Sequence, residues 1–412
     1  MMRADSKGER TRNALIDAAI QVVASEGLSA LSYRKVAATA EVSLALVNYH
    51  FPAKSELVAS LSATVLRTYA ESIERTIDRV NAGTAMTFDS IARQLLRNAI
   101  TRDRNRTLAW AEVVLEAARR PQSLTLAREW DSELQRLWTA LAAATGHDPS
   151  PVAVRSEVDL LTGLLFLCIA LQVDGSSLTD TLEGTPPDYP VQMSPRGPQT
   201  LSPRKSGPKA TETRARIVES VIAILKEQGA SAISFRAIAE RANLSPAAPS
   251  YYFASIADLL SHSQNTLTER SRTRYREVMR IADRSDLTQT QVIDLTTTIF
   301  VREATESCSE NLVFFANWLE AARRPELRPV IRSFVDNQIA AWQRVLPMQD
   351  GAACPKRSGL LSMTLFLGKL LRIVSTGSVT ADLVQSRNEF LYALEAIAAG
   401  VPGSCFSRSA GG

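Results

Sequence analysis

The sequence is poor in the residues that carry chemistry. Its 412 residues hold three histidines and four cysteines. His50, His147 and His262 are scattered, and Cys168, Cys308, Cys354 and Cys405 show neither metal-ligand spacing nor a disulfide framework. There is no glycine-rich phosphate loop and no Ser/His/Asp grouping, so neither an enzyme nor a cofactor or metal is expected. The thiols read as reduced, and the start Met1-Met2-Arg3 does not resemble a signal peptide, which points to the cytoplasm. The most apolar run, Leu160–Val173, is about 14 residues and too short to span a bilayer, and its second copy carries Lys369. Both read as buried bundle helices, and no membrane is expected. No stretch alternates with a period of two, so strands are not expected either.

What remains is an ordinary globular composition, 45% hydrophobic and 22% charged. The net charge of +4 says little about nucleic acid, because a basic patch matters more than a total. The chain is too long for one core, and two halves of roughly 190 to 200 residues suit the usual domain scale.

Those halves are copies. Ser32–Leu57, SYRKVAATAEVSLALVNYHFPAKSEL, aligns without a gap with Ser234–Leu259, SFRAIAERANLSPAAPSYYFASIADL, at a constant shift of 202 residues. Arg12, Gly27, Ser43, Tyr49 and Phe51 recur as Arg214, Gly229, Ser245, Tyr251 and Phe253. Further on, Leu115-Glu-Ala-Ala-Arg-Arg-Pro121 recurs as Leu319-Glu-Ala-Ala-Arg-Arg-Pro325, and Leu160-Leu161 with Leu165-Phe166-Leu167 as Leu360-Leu361 with Leu365-Phe366-Leu367. The chain is a tandem duplication of a whole two-part protein.

Within each Ser32-type stretch the pattern is helix, tight turn, helix. Ala37 and Ala40 permit close helix approach, Val42 plugs the turn, and Ser43 is placed to cap the next helix. This is a helix-turn-helix, whose second helix can enter a DNA major groove. Tyr49-His50-Phe51-Pro52 followed by Lys54 and Leu57, behind Ala-x-x-Ala-x-Val-Ser, resembles the DNA-binding domain of tetracycline-repressor (TetR) family regulators. Through the duplication, the resemblance covers most of the chain.

The resemblance implies an all-α fold of two tandem units, each a three-helix DNA-binding domain followed by a helical bundle. The expected divisions are 8–60 and 61–183 for the first unit, 184–209 for a Pro-rich linker, and 210–262 and 263–402 for the second. Apolar spacing predicts scaffold helices from Arg10 to Ser25, ended by a left-handed Gly27, and from Glu212 to Glu227 before Gly229. Met1–Glu9 is polar and expected to be disordered. Long connecting helices are expected near Lys54–Arg79 and Ile256–Ile281, with bundle helices after each. In the family the last two helices of each bundle pair with a partner's. The first half offers only the short Ser176–Glu183 as its final helix, which puts a standard interface there in question. The linker, about 26 residues, would span on the order of 25 to 30 Å as a coil. Its Arg196, Arg204, Lys205 and Lys209 suit either a solvated tether or a contact with DNA backbone.

The partner implied is double-stranded DNA. Arg34 and Arg236 could reach phosphate or a base edge, and Ser32 and Ser234 could donate to phosphate while capping their helices. The resemblance assigns the first recognition surface to Ser43, Leu44, Ala45 and Asn48, with Tyr49 and His50 on the backbone and Lys54 on a phosphate. Leu44 and Ala45 can offer only apolar contact, whereas Asn48 can read a base edge. Tyr49 read as core and Arg34 as a solvated charge are the bland alternatives. In the second copy the surface is Ser245, Pro246, Ala247, Ser250, Tyr251 and Tyr252. There Ile256 replaces Lys54, Tyr252 replaces His50, and Pro249 enters the recognition helix. That half therefore binds more weakly or reads a different half-site, or its motif has decayed and the bundle serves only small molecules or protein partners.

Two halves packed as an intramolecular pseudo-dimer would set recognition helices about 34 to 36 Å apart on an imperfect palindrome. A homodimer of chains presenting four motifs is the other arrangement. The family's bundles imply a small-molecule effector, here of unknown identity, with Trp110, Trp130 and Trp138, and Phe314, Phe315, Trp318 and Trp342, as candidate lining; plain core is the alternative for each.

Overall fold

In a computed structural model, residues 7–120, 123–188, 207–282, 287–348, 354–377 and 380–399 are described. They form 18 α-helices and, among the described residues, no strand. The first half contains α1 (Lys7–Glu26), α2 (Tyr33–Thr39), α3 (Leu44–His50), α4 (Lys54–Asn81), α5 (Phe88–Ile100), α6 (Arg104–Arg119), α7 (Leu124–Thr145), α8 (Pro151–Ala170) and the short α9 (Leu178–Leu182). The second half repeats it as α10 (Pro208–Gln228), α11 (Phe235–Arg241), α12 (Ala248–Tyr252), α13 (Ile256–Ala282), α14 (Gln289–Thr305), α15 (Cys308–Ala321), α16 (Arg328–Val345), α17 (Lys356–Thr376) and α18 (Ala381–Ala399).

Local chemistry sets most boundaries. Thr87 and Thr288 close capping boxes at the starts of α5 and α14, and Pro151 and Pro208 open α8 and α10, where a missing N–H costs nothing. The scaffold helices start earlier than their apolar spacing suggests, at Lys7 and Pro208, so residues 7–9 are helical and the linker's last two residues belong to α10. Residues 1–6 lie outside the described residues. Gly27 and Gly229 do end the scaffold helices at positive φ, +88° and +83°, but with ψ of 159° and 177°. This is a region essentially restricted to glycine, not the left-handed helical conformation expected. The chain then turns through short 3₁₀ segments, Leu28–Ala30 and Ala230–Ala232.

α4 and α13 run unbroken through residues 60 and 262, so each helix-turn-helix unit and its bundle share a helix. Of the linker, residues 189–206, including Arg196, Arg204 and Lys205, lie outside the described residues. Residues 184–188 are tethered to the second half: Arg332 of α16 donates to the Pro186 and Pro187 carbonyls and pairs with the exposed Asp188.

The halves are joined by their bundles. α8 packs along α17 more extensively than any other pair of helices, and α18 also lies on α8. α17 has the length and apolar content of a membrane span, but almost all of it is buried inside the fold. In chain order α9, five residues long, follows α8 where the 19-residue α18 follows α17. Near the other end of the molecule Ser29 and Ser231, equivalent through the 202-residue shift, meet hydroxyl to hydroxyl. Equivalent residues in mutual contact mark a pseudo-two-fold axis passing between them.

Candidate nucleic-acid interface

Each helix-turn-helix is built by burying alternate faces of very short helices. In the first, Ser32 accepts the Lys35 N–H at 3.4 Å to start α2, and Ser43 accepts the Leu46 N–H at 3.3 Å to start α3. The turn between them needs one left-handed residue, Glu41 at φ +54°. Val47 and Phe51 are fully buried and anchor α3 from below, while Leu44 is 41% and Tyr49 80% exposed above it. The Tyr33 hydroxyl, unremarked in the sequence, donates to the Phe51 carbonyl at 2.6 Å and closes the end of α3. Arg12 lies 4.8 Å above the Phe51 ring and donates to Ser60 at 2.8 Å, tying α1 to α4 beneath the motif.

Ser32, Arg34, Ser43, Leu44, Ala45, Asn48, Tyr49 and Lys54 are all exposed, with His50 half-buried against the Tyr49 ring, centroids 5.2 Å apart. Asn48 donates its amide to the Leu44 carbonyl at 3.0 Å, so in the free chain that donor is occupied by its own helix. Desolvation by neighbouring residues lowers the pKa of the Lys54 ammonium; Glu116 opposes this and Arg120 adds to it.

The second motif differs in its recognition helix. Ser234 still caps α11, accepting the Ala237 N–H at 3.1 Å, and Asn243, at φ +50°, takes the place of Glu41 in the turn. Ser245 does not cap α12. The Ala248 N–H bonds instead to the Ser245 carbonyl at 2.9 Å, residues 246–247 form a turn, and α12 begins only at Ala248. Pro249 then falls in the first turn of a helix, where it needs no donor, and is buried in the place of Val47. Ser234, Arg236, Ser245, Pro246, Ala247, Ser250 and Tyr251 are exposed and Tyr252 is half-buried. Tyr251, at 50%, stands out less than Tyr49. Phe235 replaces Tyr33 and cannot close the helix end. Asp258 and His262 brace the unit, 3.2 Å apart, and the Asp258 side chain raises the imidazole's pKa.

Behind the motifs, each bundle holds a cavity. The first, about 150 Å³, lies among α4 to α8 and is lined by Tyr69, Trp110, Trp130 and Trp138. The second, about 790 Å³, is lined by Phe314, Phe315, Phe334 and Trp342 together with Arg274 and Glu303. Trp318 is not in its wall and is core.

The repeated Leu-Glu-Ala-Ala-Arg-Arg-Pro stretch links bundles to motifs across the pseudo-axis. Arg119, from α6, donates to the Leu225 carbonyl in α10 at 3.2 Å. Its counterpart Arg323, just after α15, donates to the Ala24 and Val23 carbonyls of α1 at 2.9 and 3.1 Å. Each arginine thus caps the scaffold helix of the other half. Nothing in the sequence marks the crossing.

Two family profiles match the chain twice each: "Bacterial regulatory proteins, tetR family" over residues 15–61 and 217–262, and "Tetracyclin repressor-like, C-terminal domain" over 82–185 and 287–400. The "HTH-type nicotine-responsive transcriptional repressor HdnoR" of Paenarthrobacter nicotinovorans is 30% identical over 164 residues, 38% of this chain and 80% of that protein. A solved structure, "Crystal structure of multidrug binding protein EbrR complexed with imidazole", is 26% identical, covers 45% of this chain and 98% of its own, and has a TM-score of 0.33.

Proposed function

Because the chain belongs to the tetR family of bacterial regulatory proteins, as two units in tandem, we propose that it is a ligand-responsive transcriptional repressor of the cytoplasm that reads an imperfect palindromic operator with both halves of one chain. The observation that carries this reading is Tyr49. Its ring is 80% exposed on a helix anchored by the buried Val47, and with Leu44, 41% exposed, it gives α3 an apolar outer surface that binding would cover. Around it stand Arg34 and Lys54 for phosphates and Leu44, Ala45 and Asn48 for base edges. The second surface, with a shorter helix, no Lys54 equivalent and Ser250 in place of the Asn48 amide, reads its half-site more weakly. The two different surfaces favour an operator whose halves differ.

The effector reading rests on the cavities and on the crossed arginines. α6 lines the first cavity and carries Arg119; α15 lines the second and leads into Arg323. A ligand that displaced either helix would pull on the opposite scaffold helix and change the spacing of the motifs. A bundle that binds small molecules or proteins with a degenerate second motif is the alternative, favoured by the uncapped five-residue α12.

Binding to DNA fragments from the gene's own upstream region, with and without Arg34→Ala and Lys54→Ala, tests the reading. Affinity should fall steeply with salt and with either substitution. Salt-insensitive binding, or equal binding by the variants, would remove it.

A further inference from the structure

α8 and α17 cross with their backbones in contact, and two glycines permit it. A Cβ at Gly163 would fall against the Thr364 carbonyl, and one at Gly368 against the Asp159 carbonyl, both inside the 3.0 Å that real Cβ atoms keep. The glycines are not equivalent. In the alignment of Leu160-Leu161 with Leu360-Leu361, Gly163 corresponds to Met363 and Gly368 to Cys168. Each helix supplies one of the two close approaches, and its partner supplies the other.

The charges beside the crossing are divided in the same way. Asp159, almost wholly buried on α8, takes two hydrogen bonds from Arg372 of α17, at 2.8 and 2.9 Å. Lys369, also buried on α17, pairs with Glu389 of α18, lies 4.0 Å from Asp159, and has the Phe300 and Phe390 rings at 5.3 and 5.6 Å. Arg372 completes the group 3.4 Å from Glu389, and Arg155 of α8 pairs with Asp382 at 2.9 Å. The positions equivalent to Asp159, Lys369 and Arg372 are Gly359, Ile169 and Gln172. Across the crossing itself, Asp159 sits on α8 and Lys369 and Arg372 on α17, and the equivalent positions carry no charge.

We propose that the duplicated interface has become self-incompatible: the α8 face accepts only an α17–α18 face, and each refuses a second copy of itself. Two α8 helices meeting in this geometry would set Cys168 against the Asp159 carbonyl and bury two Asp159 carboxylates opposite Gln172 and Ile169. Two α17 helices would set Met363 against the Thr364 carbonyl and leave Arg372 facing Gly359 without its two-bonded carboxylate. A buried charge stripped of its partner is penalised far more than the pair is favoured, so the pattern acts chiefly against the wrong pairings. The working unit is then one first half with one second half, supplied by a single chain. The inference concerns pairing and does not rest on DNA binding, so its failure would leave the repressor reading standing.

Two full-length variants test it. Asp159→Arg makes the α8 face basic against an unchanged α17, and Lys369→Glu with Arg372→Glu makes the α17 face acidic against an unchanged α8. Each alone sets like charges at its own crossing, whereas in a mixture the altered α8 of one chain complements the altered α17 of the other and the remaining faces are native. Co-refolded with different tags, the two should form a one-to-one heterodimer, twice the 45.0 kDa of the single chain. Its yield should exceed the dimer yield of either variant alone by roughly tenfold or more. Equal homodimer yields, or variants that stay monomeric and melt like the unmodified chain, would overturn the proposal. If a variant fails to fold alone, light scattering of the unmodified chain over a dilution series decides: a constant single-chain mass supports it, and a concentration-dependent dimer overturns it.

Discussion

Replacing Arg323 by alanine should destabilise the protein by about 3–5 kcal/mol, the range for truncating one partner of a buried ion pair. The side chain is 11% exposed and lies 2.8 Å from Glu112 and 2.9 Å from Glu320. It also caps α1 through the Ala24 and Val23 carbonyls. Without it Glu112, itself 12% exposed, keeps the Leu28 N–H at 3.1 Å, while Glu320 retains Arg324 at 3.0 Å. Arg324 is the internal control: it pairs with the same Glu320 but is 42% exposed, so Arg324→Ala should cost no more than about 1 kcal/mol. Replacing Glu112 and Arg323 together by leucine removes both charges and should recover part of the loss, the Ala24 carbonyl losing its cap while that of Val23 keeps the Gly27 N–H. Urea unfolding followed by tryptophan fluorescence, with the single and double variants arranged as a cycle, reads these differences. If Arg323→Ala and Arg324→Ala fall within about 0.5 kcal/mol of each other, the arginine is not a buried clamp and the coupling drawn through it fails.

Glu41 holds a left-handed conformation that suits Asn better, so Glu41→Asn should raise the melting stability by a few tenths to about 1 kcal/mol, and Asn243→Glu should lower it by a similar amount. The two histidines outside the recognition helix give opposite pH dependences, readable as melting temperature between pH 8 and 5. Asp258 raises the His262 pKa, so its contribution is fully present below about 6.5 and fades as pH rises through the higher folded value; His262→Gln should abolish this. Burial against Phe88, ring centroids 4.2 Å apart, lowers the His147 pKa, so protonating it as pH falls below about 6.5 should destabilise the first bundle, and His147→Phe should remove that loss. Leu134→Trp should occupy part of the first cavity and obstruct it. The variant should bind DNA normally yet lose its response to the first bundle's effector, and an unchanged response in a release assay would place the effector elsewhere.

The sequence reveals helices wherever one face is apolar. It reveals caps wherever the following amides are free, as at Ser32, Ser43 and Ser234. It misleads at Ser245, which matches Ser43 residue for residue, because Pro246 and Pro249 move the helix start to Ala248 and the serine hydroxyl no longer takes the amide three residues on. Of the seven aromatics expected to line cavities, six do and Trp318 does not; helical spacing alone cannot separate core from cavity. Lys369 is legible as an argument against a membrane span, but its partners are not, since Asp159 lies 210 residues away and on the other half. The crossing of Arg119 and Arg323 is hidden for the same reason: a duplicated sequence does not say which copy a side chain reaches.

The most direct measurement is a footprint of the intact chain on its selected site, with Arg34→Ala and Arg236→Ala as probes and the salt dependence recorded. One chain per site should protect two successive major grooves with unequal half-sites. Arg34→Ala should weaken protection in one half and Arg236→Ala in the other, and each should lower the salt slope by about one phosphate contact. Protection confined to a single groove, or both substitutions acting on the same half-site, would contradict a chain in which both copies read DNA.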